Sequence, residues 1–454
     1  MCDARPILAT VLGILLVPVG VAGGGAPTAA DVVDVDRAAA EARRAGLRVL
    51  AGERLVLATD RPVRDGDGVE DLPAIFDQAF SGWCAHYRLD PATLADWQAF
   101  GCLVVDRERF RAAGLLPDSI PEFPNGFCDR NRFWLMDQSN PAYRRHLLLH
   151  EGVHAFTLTV RGLAAPPWYT EGIAEFLATH RLEPGADGRP RVVPAPLPAR
   201  PADVEQLGRI ERIRALRRAA AVPGLADVFT TPPTDHRDIS AYAASWAAVA
   251  LLALHPAHAA AFAACERGPL DAVFTERLAE SAGWDAARAA RDFDAFTDEV
   301  DYGYDVVRSA IDWSPGRSPA GDERLTVAAS RGWQNTGLAL AAGGTYAITA
   351  TGTIRLGDLP ARETGPATVI ESEADGISLR WYRGRPAGRL LAAQWVEKPA
   401  DGGRPRFVIL GDGARPTLTA VTDGPLYLKI NESPGDLADN EGTLEAMLTP
   451  VAMP

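Results

Sequence analysis

The stretch His150-Glu151-Gly152-Val153-His154 places two imidazoles four positions apart, with a carboxylate between them. On an α-helix, residues at positions i and i+4 lie on one face, so His150 and His154 can bind the same ion. Glu151 points about a hundred degrees away from His150, toward a water molecule on that ion. The motif is typical of a catalytic zinc site.

The residues around this motif predict two consecutive helices. The first begins after Asn140, because a capping residue followed by Pro141 is typical of a helix start. The second opens after two prolines and reads Trp168-Tyr169-Thr170-Glu171-Gly172-Ile173-Ala174-Glu175-Phe176. With Glu171 as a third ligand, the fourth tetrahedral position stays free for water or substrate, as in a catalytic zinc site.

This combination resembles the gluzincin metallopeptidases, in which HExxH is followed by a helix bearing W-x-x-E-G-x-A-E. The resemblance implies that His150, His154 and Glu171 are the zinc ligands. It also implies that Glu151 is the general base and that Glu175 steadies a ligand imidazole. The interval between His154 and Glu171 is slightly shorter than in the aminopeptidase branch. It is closer to the peptidase-MA-like branch, which is common in secreted bacterial proteins.

The same resemblance implies a tyrosine that donates a hydrogen bond to the developing oxyanion. Tyr242 precedes an apolar helical stretch and is the candidate for this role, with Tyr169 and His236 as alternatives. The implied reaction is hydrolysis of a peptide bond. Zinc lowers the pKa of its water and polarises the scissile carbonyl, and Glu151 accepts the water's proton.

The segment upstream of the zinc motif predicts a small sheet. Residues 47–59 have the apolar pattern of a strand or hairpin, residues 103–106 and 133–137 have that of strands, and residues 73–89 have that of a helix. By resemblance, the strand at 133–137 is expected to be an edge strand that lines the cleft and pairs with an extended substrate.

Composition restricts the partners and the compartment. The chain has 454 residues and a formal net charge of -13, which favours two or three domains and argues against nucleic acid or an anionic membrane surface as a partner. An apolar run follows Arg5 and ends in small residues, which predicts a cleaved signal peptide at residues 1–30. The expected location is therefore periplasmic, cell-surface or secreted, with no membrane span after cleavage; a retained anchor is the alternative.

Four cysteines remain after removal of the signal, namely Cys84, Cys102, Cys128 and Cys265. In an oxidising compartment we expect one disulfide among the first three, with the connectivity open. Residues 181–203 are rich in Pro and Arg and predict a surface loop at the rim of the cleft, which either selects substrate or is a neutral insertion. The arginines from 209 to 218 predict a solvated helix face, and residues 241–304 predict further helices.

After residue 313 the composition changes to Gly, Thr and alternating apolar residues, which predicts an all-β domain. Short strands are expected at TYAITATG, ISLRWY, RFVIL and PLYLKI. A loop follows the last of these strands. It reads Asn431-Glu432-Ser433-Pro434-Gly435-Asp436-Leu437-Ala438-Asp439-Asn440-Glu441-Gly442.

This loop resembles the calcium loop of the small galactose-binding bacterial lectins (PA-I galactophilic lectin-like), which run N-D-x-P-G-x-x-x-N-N-x-G. The resemblance implies that Glu432, Asp439 and Asn440 donate side-chain oxygens to Ca²⁺. It further implies backbone carbonyls from Asp436 and from near Leu356. This loop is more acidic than the lectin loop, and the lectins' sugar-contacting His and Gln have no evident counterpart in residues 383–395. Two interpretations stay open: a calcium site that binds sugar, and a structural loop that calcium stabilises.

The predicted fold is an α+β zincin-like (gluzincin) catalytic domain with a largely helical second half, followed by an all-β sandwich domain. The expected boundaries are 1–30 for the signal, 31–140 for the α+β part, 141–312 for the zinc-site helices and helical subdomain, and 313–454 for the lectin-like domain. Expected partners are a peptide or protein substrate and, for the last domain, carbohydrate or cell-envelope glycan. The alternative is a catalytically inactive peptidase-like carbohydrate-binding protein; the intact ligands and base favour the enzyme.

Overall fold

The computed structural model describes residues 32–64, 66–186, 188–205, 208–233, 238–359 and 368–451. The predicted signal at 1–30 lies outside these ranges. The chain divides into two compact units. Unit 1 consists of the residues up to Arg212 together with Asp227–Val249 and Ala264–Leu278, and unit 2 consists of Ile213–Ala226, Ala250–Ala263 and the residues from Ala279 onward.

Unit 1 contains a five-stranded sheet in the order β1-β2-β3-β5-β4. Strands β2, β3 and β5 are mutually parallel, while β1 and β4 are antiparallel to their neighbours. The strands are β1 Arg48–Ala51, β2 Leu55–Thr59, β3 Ala99–Val104, β4 Gly126–Asp129 and β5 Arg132–Met136. The predicted strands are thus present, but the edge assignment is wrong. Residues 133–137 belong to the inner strand β5, and β4, too short to be predicted from its pattern, is the edge.

Successive side chains of a strand point to opposite faces of the sheet, and helices pack against both faces of this one. One face, which includes Phe100 and Trp134, packs with α1 in a buried cluster. On the other face Gly101 leaves room for the ring of Phe133, and the ring of Phe133 stacks on that of Phe76 from α2. The helices that precede or contain Glu171 are α1 Val35–Arg44, α2 Leu72–Tyr87, α3 Arg107–Ala112, α4 Pro141–Val160 and α5 Pro167–Ala178.

Helix α4 begins as predicted. The side chain of Asn140 accepts hydrogen bonds from the backbone N–H groups of Ala142 and Tyr143. The helix continues through Gly152, which sequence propensity alone disfavours. A Cβ atom at this position would lie 2.4 Å from the ring of Phe76 and 2.8 Å from that of Trp83, so the glycine allows α2 and α4 to pack closely.

The Pro- and Arg-rich segment is not an irregular loop throughout. It forms an antiparallel hairpin of β6 His180–Pro184 and β7 Pro190–Pro194, followed by a short 3-10 helix at Pro201–Val204. Further helices follow as predicted, at α6 Ile210–Arg218, α8 Ile239–Leu254, α9 Ala259–Arg267, α10 Phe274–Ala279 and α11 Ala286–Glu299, and a short helix that was not predicted, α7 Leu225–Phe229, lies between α6 and α8. Within the described ranges no single helix is long and apolar enough to cross a membrane, although α8 and α9, a bent pair, reach that threshold when taken together.

The β-rich part of unit 2 contains two larger sheets, in the orders β16-β10-β19-β8 and β13-β14-β17-β9, with β15 on β14. Side chains from both sheets form one buried cluster, as expected of a sandwich. A smaller sheet has the order β12-β11-β18. The strands are β8 Glu323–Ala328, β9 Gln334–Leu340, β10 Thr345–Thr351, β11 Ile354–Leu359, β12 Thr368–Ser372, β13 Asp375–Tyr382, β14 Arg385–Val396, β15 Arg406–Asp412, β16 Thr417–Thr419, β17 Gly424–Ile430, β18 Asn440–Glu441 and β19 Thr443–Val451.

The predicted disulfide is wrong: Cys84, Cys102, Cys128 and Cys265 are all buried and free. Strand β5 lies between the strands that carry Cys102 and Cys128. Strands separated by a third strand are about 9.5 Å apart, whereas disulfide-linked Cα atoms are at most about 7 Å apart. Burial raises the pKa of Cys102 above its ordinary value, so these thiols behave as apolar core groups.

Candidate metal centre

Helices α4 and α5 bring together three buried side chains of unit 1. The Nε2 atoms of His150 and His154 lie 3.1 Å apart, and each lies 3.4 Å from Oε2 of Glu171. These three groups could hold a metal ion. Four ligands at zinc's usual bond lengths of about 2.0–2.1 Å are separated from one another by roughly 3.3–3.4 Å. The spacing of these three donor atoms therefore fits a single ion.

The carboxylate of Glu151 lies beside this donor set and against the edge strand. A Cβ atom at Gly126 of β4 would lie 2.2 Å from Oε1 of Glu151, so the glycine makes room for this carboxylate. Glu151 is fully buried, and neither of its oxygens has a hydrogen-bond partner among the described residues. Burial raises the pKa of Glu151, although the neighbouring imidazoles of His150 and His154 lower it. Such a carboxylate is suited to accept a proton.

Glu175 contacts the ring of His150 at Nδ1, the nitrogen that does not belong to the donor set. Its Oε1 lies 3.2 Å from Nδ1 of His150, and its Oε2 lies 3.1 Å from Nε2 of His146. Burial acts against a charged His150, but the nearby carboxylates of Glu171 and Glu175 outweigh it and raise the pKa of His150 to about 10. Burial likewise disfavours ionised Glu171, yet the two histidines hold its pKa at about 2. Without an ion, the two histidines therefore already hold Glu171 as a negative carboxylate.

Arg209 completes this arrangement. Its guanidinium donates to both carboxylate oxygens of Glu175, with Nε to Oε2 at 2.7 Å and Nη2 to Oε1 at 2.5 Å. The prediction of a solvated arginine face is thus wrong at this position, because Arg209 is buried. Sequence reasoning missed the residue since nothing local separates it from the arginines that follow it.

Of the three candidates for the oxyanion donor, Tyr242 lies near the donor set. Its ring centroid is 6.1 Å from that of His150. Helix α8 approaches α5 closely there, because a Cβ atom at Gly172 would lie 2.5 Å from the carbonyl oxygen of Ser245. The hydroxyl of Tyr169 instead donates to Oε1 of Glu266, at 2.9 Å. His236 lies outside the described residues.

A second buried histidine cluster lies in unit 2. His258 Nε2 lies 2.8 Å from Oδ2 of Asp292, and His255 Nε2 lies 3.8 Å from Oδ1 of the same carboxylate. The backbone N–H of Ala257 donates to Nδ1 of His255, so the neutral ring carries its proton on Nε2. Trp313 Nε1 also donates to Asp292, at 2.8 Å. His255, His258 and Asp292 are close enough together to hold a metal ion, and in the structure Asp292 is hydrogen-bonded to His258 and Trp313.

In unit 2 the loop that resembles the lectin calcium loop brings its acidic groups together. Burial raises the pKa of Glu432 to about 7; Arg380 opposes this shift, and the charges of Asp436 and Asp439 add to it. Oε2 of Glu432 and Oδ1 of Asn440 are buried and have no hydrogen-bond partner in the described part of the chain. These orphaned oxygens fit a hard cation.

The expected backbone contributions to this loop lie nearby. Leu356 of β11 pairs with Asn440 of β18, which places the two backbones side by side. A Cβ atom at Gly357 would lie 2.2 Å from Oδ2 of Asp439, so this glycine makes room for the carboxylate. Arg380, which sequence reasoning did not single out, forms ion pairs with Glu432 and Asp436.

No family model matches the sequence, and no curated protein is significantly similar to it. Sixteen solved chains are distantly similar, and two of them illustrate the range. One is described as "EclA N-terminal domain; PllA-like lectin", with 20% identity, covering 28% of this chain and 95% of that one, at a TM-score of 0.19. The other is the IMPa metallopeptidase from Pseudomonas aeruginosa, with 14% identity, covering 66% of this chain and 28% of that one, at a TM-score of 0.16. Both TM-scores are low, so neither similarity assigns an activity to this chain.

Proposed function

We propose that this chain is an exported zinc metallopeptidase of the gluzincin type, with His150, His154 and Glu171 as zinc ligands. The observation that carries the proposal is the spacing of the three donor atoms, 3.1 Å and twice 3.4 Å, beside the buried carboxylate of Glu151. Two imidazoles and one carboxylate are a typical donor set of catalytic zinc and leave a position for water or substrate.

A zinc ion held by these ligands would lower the pKa of a water molecule and polarise the scissile carbonyl. Glu151 accepts the proton of the attacking water and delivers it to the leaving amine. Oε1 of Glu175 lies 3.2 Å from Nδ1 of His150, which favours the tautomer with its proton on Nδ1 and keeps Nε2 of that ring free for the ion. Tyr242 donates a hydrogen bond to the oxyanion that develops on the substrate.

Metal content and the activity of chelated protein test this proposal. Purified protein should contain one zinc per chain, lose peptide hydrolysis on treatment with a chelator and regain it with added zinc. Glu171→Ala should lower the zinc content strongly. Hydrolysis that is unaffected by complete removal of metal would contradict the proposal.

We further propose that the loop of residues 431–442 binds Ca²⁺ and that the domain containing it serves targeting or stability. The supporting observation is the pair of buried, unpartnered oxygens on Glu432 and Asn440, next to the carboxylates of Asp436 and Asp439. Calcium prefers several hard oxygen ligands of this kind. Calcium titration followed by a glycan array separates a lectin from a structural staple. Calcium affinity that is unchanged by Asp439→Ala contradicts the assignment.

A further inference from the structure

In the proposed calcium loop, two carboxylates already form ion pairs with an arginine of the same chain. Nη2 of Arg380, on strand β13, lies 3.0 Å from Oε1 of Glu432 and 2.6 Å from Oδ2 of Asp436. One guanidinium nitrogen therefore connects two of the residues assigned to the calcium loop.

The two carboxylates differ in their need for this charge. The side chain of Glu432 is only 1% exposed, whereas that of Asp436 is 46% exposed. An ionised carboxylate as deeply buried as Glu432 is unfavourable without a counter-charge. Water can solvate Asp436 but not Glu432. In the loop without an ion, the ion pair with Arg380 thus stabilises ionised Glu432.

A divalent ion would compete with Arg380 for this carboxylate. Oε2 of Glu432 and Oδ1 of Asn440 are free to bind an ion, but Oε1 of Glu432 is shared with the guanidinium. Two cations on one buried carboxylate repel each other. Arg380 is about one-third exposed, so it can turn toward solvent while its contact with the more exposed Asp436 persists.

We propose that Arg380 is a built-in competitor of calcium, which holds Glu432 in the ion-free loop and releases it when calcium binds. This inference rests on the proposed calcium loop and adds a regulatory element to it. The loop then stays folded without calcium and binds calcium only at high concentration. Calcium affinity in oxygen-ligand sites depends on ligand charge, and Arg380 cancels part of that charge.

The test is isothermal titration of the full chain with calcium chloride, together with thermal unfolding in a chelator, for wild type and Arg380→Gln. We expect the variant to bind calcium about tenfold more tightly or better. It should also unfold at a lower temperature in chelator and gain more stability from calcium than wild type does. Binding to Arg380→Gln but not to wild type would support the proposal as well.

Arg385→Gln is the matched control, because it removes an arginine from the next strand, where Arg385 pairs with Asp412 at 3.0 Å. This control should keep the calcium affinity of wild type. If Arg380→Gln binds calcium with an affinity equal to or weaker than that of wild type, only the proposed role of Arg380 is contradicted. If none of the three proteins binds calcium, the calcium loop itself is contradicted. If Arg380→Gln folds only with calcium present, the proposal is supported; if it does not fold even then, calcium does not replace the guanidinium and the proposal fails.

Discussion

Nδ1 of His150 lies 3.2 Å from Oε1 of Glu175, and both side chains are completely buried. A carboxylate in this position fixes both the tautomer and the orientation of an imidazole. Nε2 of His150 is thereby directed toward His154 and Glu171, where the three donor atoms converge. The geometry of the candidate centre thus depends on a residue that does not itself belong to the donor set.

Replacing Glu175 by Gln should weaken zinc binding by about 10- to 100-fold, because the amide is a poorer acceptor for the imidazole N–H. Competition with a fluorescent zinc chelator measures the affinity. Glu266→Gln is the control, since Glu266 is also buried and lies 3.0 Å from Nε2 of His86. Equal zinc affinities of Glu175→Gln and wild type would contradict the assigned role.

Replacing Arg209 by Gln should reduce the free energy of unfolding of the metal-free protein by about 3 kcal/mol, because Glu175 loses its bidentate partner in a buried position. Chemical denaturation in the presence of a chelator measures this change. The control, Arg212→Gln, breaks a pair between more exposed side chains, Arg212 and Asp238, and should cost at most about 1 kcal/mol. Similar losses in both variants would show that Arg209 has no special role.

Replacing Gly126 by Ala should reduce peptide hydrolysis by about 100-fold while zinc stays bound, because the added methyl displaces the carboxylate of Glu151. Activity and zinc content are measured on the same preparation. Gly82→Ala is the control: its nearest atom would be 3.9 Å away, and it lies inside helix α2. An alanine there should increase stability by about 0.5–1 kcal/mol and leave activity unchanged. Full activity of Gly126→Ala would show that Glu151 needs no such space.

Stability should fall in mild acid because of His180. Burial lowers its pKa from 6.5 to about 4; the hydrogen bond to the carbonyl oxygen of Ala178 opposes the shift, and the charges of His146 and Arg145 reinforce it. The unfolded state therefore binds more protons between these pH values, and the free energy of unfolding decreases as pH falls from about 6.5 to 4. The contribution is about 2 to 3 kcal/mol by pH 4.5.

His180→Asn should reduce this loss, since the amide can still donate to the carbonyl of Ala178 but does not titrate. Urea denaturation of both proteins at pH 7 and pH 4.5 measures the difference. The same pH dependence in the two proteins would exclude His180 as its source.

Much of the fold around the candidate centre follows from local patterns. The cap at Asn140 and the prolines before Trp168 predict the starts of α4 and α5. The spacing of His150 and His154 predicts that they share a helix face, whereas only the resemblance to gluzincins implies that Glu171 joins them. The edge strand β4 is four residues long, which is too short for a distinct apolar alternation. The hairpin of β6 and β7 was predicted as a loop because of its prolines, which stand at the strand ends.

The parts that sequence did not predict are pairings between distant segments. Arg209 and Arg380 each resemble other arginines nearby, and only the folded chain brings them to Glu175 and Glu432. The absence of a Cys102–Cys128 disulfide depends in the same way on strand order, which places β5 between these two cysteines. Local propensity carries no information about such contacts.

The most direct test of the central claim compares wild type with Glu151→Gln in zinc content and in hydrolysis of a mixed peptide library. The substitution keeps the size of the side chain and leaves His150, His154 and Glu171 intact, but the amide cannot accept the proton of water. We predict that both proteins contain one zinc per chain and that only wild type cleaves peptides. Equal cleavage by the two proteins would contradict a metallopeptidase mechanism with Glu151 as the base.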